Sequence, residues 1–155
     1  GCIIVSDLED ARLNKAKELG ATHALNGKNC DVLAEIKALT GGRGADVVFE
    51  CAGSPFTIAQ TPSIVARGGT ICLVGLSAQE EINYNFAQIM DKEATIKSVF
   101  RYRNIYPKAI AAVASGSIQL DGIATHEYDL DHIKEGFDEV VRGRSDLVKA
   151  VIKIR

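Results

Sequence analysis

Short apolar runs rich in β-branched residues alternate with segments of helical periodicity along the whole of this chain. Such alternation is typical of an α/β fold, in which crossover helices cover a parallel sheet. We therefore predict strands at residues 3–5, 23–25, 45–50, 69–74, 95–100, near Ile123 and at 148–152.

The segments between these strands carry helix signals. Asp31 and Ser54 occupy positions typical of helix N-caps. Pro62 lies inside the helix that Ser54 opens and is expected to kink or shorten it. A later helix, after residue 106, is expected to bury Ile110 and Val113, which lie on one face.

The composition excludes several classes of protein. With 46% hydrophobic and 25% charged residues among 155, the chain is expected to fold as one compact unit, or as a large piece of something bigger. The net charge of −2 gives no basic field, so neither nucleic acid nor a membrane surface is an expected partner. The longest apolar stretches are strand-sized, far short of the roughly 20 residues of a membrane span. The sequence starts without a basic and apolar leader, and the cytoplasm is the expected location.

Cysteine and histidine show no metal-binding spacing. The four cysteines are far apart, form no C-x-x-C and are expected to be buried free thiols. The histidines form no helical pair with a carboxylate. No metal site is therefore predicted within this chain.

Asp7 follows the first predicted strand, and ligands of open α/β sheets bind beyond the carboxyl ends of the strands. A dinucleotide-binding fold places a carboxylate there for the hydroxyls of the adenosine ribose. Asp7 would repel a 2′-phosphate and Leu8 offers no cation, so NAD is favoured over NADP. The alternative is that Asp7 caps the next helix. Arg12 lies where it could reach the adenosine end, although a surface arginine is the simpler interpretation.

Three further stretches lie at strand ends. The turns at 50–53 and 74–76 each contain a glycine, which permits close approach of the backbone to a ligand but also makes ordinary turns. The stretch 100–103 combines phenyl, phenol and guanidinium groups, which suit a polyhydroxylated ligand or a phosphate. Its alternative is a solvated edge with the aromatic rings packed down. The glycines at 42–44 precede a strand, so they form no phosphate-binding turn, and G-x-G-x-x-G is absent.

Taken in this order, these stretches resemble the medium-chain dehydrogenase/reductase family, and within it the sorbitol and xylitol dehydrogenase group. The matching stretches are Val5-Ser6-Asp7 with Arg12, residues 16–21, residues 42–53, Gly68-Gly69 with Val74-Gly75-Leu76, and residues 98–102. The resemblance runs essentially from end to end. It is most specific at Phe100-Arg101-Tyr102, followed by Asn104 and Pro107.

The resemblance implies a Rossmann-like doubly wound parallel sheet and an NAD-linked, zinc-dependent oxidation of a polyol to a ketose. It implies that Asp7, flanked by Arg12, binds the adenosine ribose. The residues implied to line the nicotinamide half of NAD are Val74, Gly75, Leu76, Val99, Phe100 and Arg101. Arg101 and Tyr102 would also contact the polyol, whereas Cys51 would be part of the wall and not a reactive thiol.

The family's catalytic domain, first strand and Gly-rich turn have no counterpart in this sequence. We therefore expect a partial sequence of a longer polypeptide, with the catalytic residues and zinc ligands outside this chain. Residues 1–122 are then an incomplete dinucleotide-binding domain. Residues 123–155 are the strand-helix-strand segment that returns to the catalytic domain.

Two other functions are compatible with parts of the sequence. One is a nucleotide-binding or structural module without catalysis. The other is an S-adenosylmethionine-dependent methyltransferase, whose sheet also ends a strand in an acidic residue, although residues 100–102 have no place in it. Separately, the strand at 95–100 alternates like a sheet edge with one solvated side, so a homo-oligomer is expected.

Overall fold

The computed structural model describes residues 1–154, which form an α/β fold. Every strand pair described is parallel, as the alternating sequence pattern predicts. In chain order the elements are β1 (Ile4–Asp7), α1 (Asp10–Glu18), β2 (His23–Asn26), α2 (Val32–Leu39), β3 (Ala45–Glu50), α3 (Pro55–Ile64), β4 (Val65–Leu73), α4 (Phe86–Asp91), β5 (Thr95–Ser98), α5 (Tyr106–Ala114), β6 (His126–Asp129), α6 (Ile133–Arg142) and β7 (Ala150–Lys153). Among these residues, no helix combines the length and the apolar character needed to cross a membrane.

The chain divides into two compact units. The first unit comprises Gly1–Cys30 and the chain from Asn104 onward, and it holds the two-stranded sheets β1-β2 and β6-β7. The second unit, Asp31–Arg103, holds the three-stranded sheet β3-β4-β5. The sequence-based domain boundary at residue 122 stays a prediction.

The second unit is built around its central strand, β4. Val65 and Ile71 of this strand are fully buried and form the core with Ile89 of α4. β5 lies at the edge of the sheet, as predicted, and pairs with β4. All four residues of β5 are exposed, so the prediction of one buried face is wrong: the described part of the chain covers neither face of this strand.

Helix α3 accommodates a proline near its end. Ser54 is its N-cap, as predicted. Pro62 is buried within the last turn and has no amide to donate to the carbonyl of Ile58, which instead accepts a hydrogen bond from the Thr61 hydroxyl at 2.8 Å. The Lys92 ammonium donates to three carbonyls at this helix end, those of Pro62 at 2.7 Å, Ser63 at 3.3 Å and Val65 at 2.6 Å. The helix therefore ends two residues after the proline, and the Thr61 hydroxyl and the Lys92 ammonium supply hydrogen bonds to the backbone carbonyls at this end.

Two predictions for the first unit are wrong. A strand begins at His126 and not near Ile123, because Gly122 has a φ of +72°, a left-handed conformation that belongs to a turn. Helix α5 lies where it is predicted, but Ile110 and Val113 are 65% and 39% exposed. Sequence periodicity predicts which face of a helix is apolar, but not whether another element packs on that face. The described residues leave the apolar face of α5 exposed.

Helix α6 packs against β6 through a glycine. Gly136 is buried, and a Cβ atom at this position would lie 2.8 Å from the ring of Tyr128. The missing side chain lets the aromatic ring lie against the helix backbone. The Tyr128 hydroxyl then donates to the carboxylate of Glu139, one turn further along α6.

Candidate functional site

Asp7 is the last residue of β1, and its carboxylate organises the turn that follows. Oδ1 accepts hydrogen bonds from the amides of Leu8 at 2.7 Å and Glu9 at 2.9 Å. The N-cap of α1 is Glu9, whose side chain makes no capping hydrogen bond. The alternative in which Asp7 caps the helix is therefore wrong, and its side chain is instead fixed at the carboxyl end of the strand.

Arg12 lies beside Asp7. Its Nη1 is 3.7 Å from Asp7 Oδ1, and the two side chains are 41% and 29% exposed. An ion pair as exposed as this one contributes little stability. The structure thus brings together the two residues predicted for the adenosine end.

The turns after β3 and β4 meet at the carboxyl end of the sheet in the second unit, because the two strands are parallel neighbours. The carbonyl of Glu50 accepts hydrogen bonds from the amides of Val74 at 2.8 Å and Gly75 at 2.9 Å. Gly75 also lies against Gly53, since a Cβ atom on Gly75 would be 2.7 Å from the Cα of Gly53. The side chains of Val74 and Leu76 are exposed. This predicted stretch is therefore a closely packed backbone turn that presents two accessible apolar side chains.

The side chain of Glu50 also joins these turns, a role that the sequence analysis does not predict. Only 4% of the residue is exposed. Its Oε1 accepts hydrogen bonds from the amides of Ala52 and Gly53, both at 3.0 Å, and lies 2.7 Å from the hydroxyl of Thr57. One sequence feature could have indicated this role: Glu50 is a charged residue at the end of an apolar strand. A carboxylate that is buried there must accept several hydrogen bonds from its surroundings.

The segment after β5 carries the residues predicted to contact substrate. The amide of Val99 donates to the carbonyl of Leu73 at 2.9 Å, which places the segment next to the end of β4. The guanidinium carbon of Arg101 lies 4.8 Å from the ring centroid of Phe100, in a cation–π contact. Phe100 and Tyr102 are 76% and 66% exposed, so the alternative in which the aromatic rings pack down is wrong.

All four cysteines are free thiols, as predicted, but none is buried: Cys2 and Cys51 are exposed, and Cys30 and Cys72 are partly exposed. Desolvation, then the nearby carboxylate of Glu50 and thiol of Cys72, raise the pKa of Cys51 above its ordinary value. A raised pKa disfavours the thiolate, the reactive form. The shift is in the direction expected of a thiol that is not reactive, and the place of Cys51 in the wall stays a prediction.

The residues that the structure describes do not fit a zinc site. Within residues 1–154, no three histidine, cysteine, aspartate or glutamate side chains come together in a group able to hold a metal ion.

Comparison with known proteins identifies relatives over the whole chain. A family model for zinc-binding dehydrogenases matches residues 2–115. The chain is 40% identical to a sorbitol dehydrogenase of Bacillus subtilis, over 98% of this chain and 43% of the relative. It is 42% identical to a solved oxidoreductase/dehydrogenase of unknown specificity involved in membrane biogenesis from Escherichia coli, with a TM-score of 0.91 over 99% of this chain and 44% of that one. The chain thus spans less than half the length of these relatives.

Two other solved structures, each 25% identical with a TM-score of 0.87 over 99% of this chain, contain dinucleotides. An alcohol dehydrogenase from Escherichia coli CFT073, 44% of which is covered, is complexed with NADH. A dehydrogenase from Sinorhizobium meliloti 1021, 45% of which is covered, is bound to NADP. These likenesses favour the dehydrogenase prediction over the methyltransferase alternative. The parallel α/β architecture and the family match agree, and the chain belongs to the zinc-binding dehydrogenases of the medium-chain dehydrogenase/reductase family.

Proposed function

We propose that this chain is the cofactor-binding part of an NAD-linked enzyme that oxidises a secondary alcohol of a polyol to a ketose. The observation that carries the proposal is the 40% identity to a sorbitol dehydrogenase over 98% of the chain. NAD, when bound, accepts a hydride from the carbinol carbon.

In the first unit, Asp7 is the proposed acceptor for the hydroxyls of the adenosine ribose. Its Oδ1 is held by two backbone amides, so the orientation of the carboxylate is set before a ligand binds. Its negative charge favours the free 2′-hydroxyl of NAD over the 2′-phosphate of NADP. Arg12 pairs with this carboxylate, which reduces its availability to a phosphate.

In the second unit, Val74, Gly75 and Leu76 are proposed to line the nicotinamide half of the cofactor, together with residues 99–101. Arg101 and Tyr102 are proposed to donate hydrogen bonds to the polyol hydroxyls. The cation–π contact with Phe100 holds the guanidinium group of Arg101 in this segment, and its N–H groups are the donors proposed for the polyol.

We propose that residues other than 1–154 hold the zinc ion of this family, because no described cluster fits it. The described residues then supply cofactor binding and part of the polyol pocket. No acid, base or metal ligand of the reaction is assigned among them.

A homo-oligomer is also proposed. β5 lies at the edge of its sheet, and an edge strand offers backbone hydrogen-bonding groups to a second copy. Light scattering of the polypeptide that contains this chain tests the proposal, and a monomer at assay concentrations would refute it.

The function is tested by NAD-dependent oxidation of sorbitol and xylitol with the polypeptide that contains this chain, with and without a metal chelator. NADH formation that the chelator abolishes is expected, and no NADH formation with either polyol would refute the proposal. Arg101→Ala should lower kcat/KM for the polyol about 10- to 150-fold, because hydrogen bonds from a charged group contribute about 1.5–3 kcal/mol. Arg103→Ala, another exposed arginine of the same segment, is the matched control. An unchanged kcat/KM in Arg101→Ala would exclude Arg101 from the substrate site.

A further inference from the structure

The buried carboxylate of Glu50 takes its hydrogen bonds from the turn that follows its own strand. Oε1 accepts from the amides of Ala52 and Gly53, each at 3.0 Å, and Oε2 lies 3.2 Å from the Gly53 amide. A charge that is only 4% exposed is tolerated because these donors replace water. The carboxylate therefore fixes the conformation of residues 51–53.

Thr57 extends this arrangement to helix α3. Its hydroxyl lies 2.7 Å from Glu50 Oε1 and 3.0 Å from the carbonyl of Ser54. The hydroxyl has one proton, and the carboxylate is both the closer and the stronger acceptor. Glu50 thus ties the first turns of α3 to the end of β3.

The turn after β4 is locked to the same structure. The Glu50 carbonyl accepts the amides of Val74 and Gly75, and a Cβ atom on Gly75 would lie 2.8 Å from Glu50 Oε2. A Cβ atom on Gly53 would lie 2.7 Å from the carbonyl carbon of Leu76. These backbones touch with no room for a methyl group, so displacement of residues 51–53 displaces residues 74–76.

We infer that Glu50 is a positioning residue that sets the place of Val74, Gly75 and Leu76, the turn proposed to line the nicotinamide half of the cofactor. The inference rests on the proposed function. Glu50 acts through the backbone of the two turns, since its carboxylate is buried and accepts hydrogen bonds from Ala52, Gly53 and Thr57.

Glu50→Gln tests this with little change in volume. One amide oxygen can still accept hydrogen bonds, but the new NH2 group replaces Oε2 and faces the amide of Gly53, donor against donor. We expect the dissociation constant for NAD to rise about tenfold, with a smaller rise for ADP-ribose, which lacks the nicotinamide ring. Thr57→Val, which removes one donor and keeps the shape, should raise the NAD dissociation constant about threefold. Glu127→Gln, an exposed glutamate of β6, is the matched control and should leave both constants unchanged.

The measurement is calorimetric titration of the polypeptide that contains this chain, with Tm recorded for each variant. A lower Tm with unchanged NAD affinity, or equal losses for NAD and ADP-ribose, would overturn the inference and leave Glu50 a merely stabilising residue. If Glu50→Gln does not fold, Thr57→Val decides, and unchanged NAD affinity in that variant overturns the inference. An unsubstituted protein that binds no dinucleotide is a separate result, which refutes the proposed function itself.

Discussion

Replacing Asp7 by asparagine is expected to shift the cofactor preference from NAD towards NADP. Asparagine keeps an oxygen that can accept the amides of Leu8 and Glu9, now at 2.7 and 2.9 Å, so the turn after β1 is retained. The substitution removes the negative charge and replaces one acceptor with a donor. The change therefore acts on the ribose end of the cofactor and not on the fold.

The magnitude follows from two contributions. Losing one charge-assisted hydrogen bond to a ribose hydroxyl weakens NAD binding by at least about 1.5 kcal/mol. Removing the repulsion of a 2′-phosphate strengthens NADP binding by at least about 1 kcal/mol, the interaction of two unit charges 4 Å apart in water. The Asp7 side chain is only 29% exposed, which makes its repulsion of a phosphate stronger than in water. The substitution also leaves the Arg12 guanidinium, 3.7 Å from Asp7, free to attract a 2′-phosphate, so both features increase the shift towards NADP. The sum is about 2.5 kcal/mol, or about 70-fold in the ratio of NADP to NAD affinity.

The assay is kcat/KM for NAD and for NADP with one alcohol, in the unsubstituted protein and in Asp7→Asn. Asp46→Asn removes the same charge from a side chain that is 70% exposed and paired with Arg43, so it serves as the control for net charge. A cofactor ratio in Asp7→Asn equal to that of the unsubstituted protein would show that Asp7 does not contact the ribose.

Two further predictions concern the first unit. Gly136→Ala should lower Tm, because the new methyl group would overlap the Tyr128 ring at a cost of about 1–3 kcal/mol, whereas the gain in helix propensity is about 0.5–1 kcal/mol. A higher Tm in thermal denaturation would contradict this packing. The His132 ring donates a hydrogen bond to the Asp129 carboxylate, which raises the pKa of His132 above its ordinary 6.5, so NMR titration of Asp129→Asn should show a lower His132 pKa. Since the folded-state pKa is raised, the stabilising contribution of His132 is complete below about pH 6.5 and is lost as the pH rises through the folded-state pKa; an unchanged pKa in Asp129→Asn would exclude the pairing.

The strands and helices predicted correctly are those encoded by short-range patterns. The run from Ala45 to Glu50 and the cap at Asp31 need only neighbouring residues, and both are confirmed. The prediction of a strand near Ile123 is wrong because Asp121-Gly122, a dipeptide typical of turns, precedes it and outweighs the β-branched residue. The φ of +72° at Gly122 agrees with that turn signal.

The candidate site likewise contains residues that the sequence pattern suggests and one that it does not. Asp7 and the turn at Gly75 are proposed as site residues from their positions after predicted strands, and the structure places both at strand ends. The role of Glu50 cannot be predicted without knowing which turns are in contact, because it depends on the contact between Gly53 and Gly75 at the carboxyl end of the sheet. Sequence periodicity assigns residues to faces and ends of strands, but it does not report such contacts between backbones.

The contact between Gly53 and Gly75 limits how this part of the chain can vary. Gly53 has a φ of +66°, so a side chain there is opposed by conformation as well as by space. Gly75 is restricted by space, and the atoms that exclude a side chain include the backbone of Gly53. A methyl group on Gly75 would overlap backbone atoms of Gly53, and no substitution removes backbone atoms. A second mutation that replaces a neighbouring side chain by a smaller one therefore cannot suppress the effect of Gly75→Ala. Restoring function after that change requires a new loop length or a shifted strand, so the fit of this turn is set by the course of the backbone and not by the choice of neighbouring side chains.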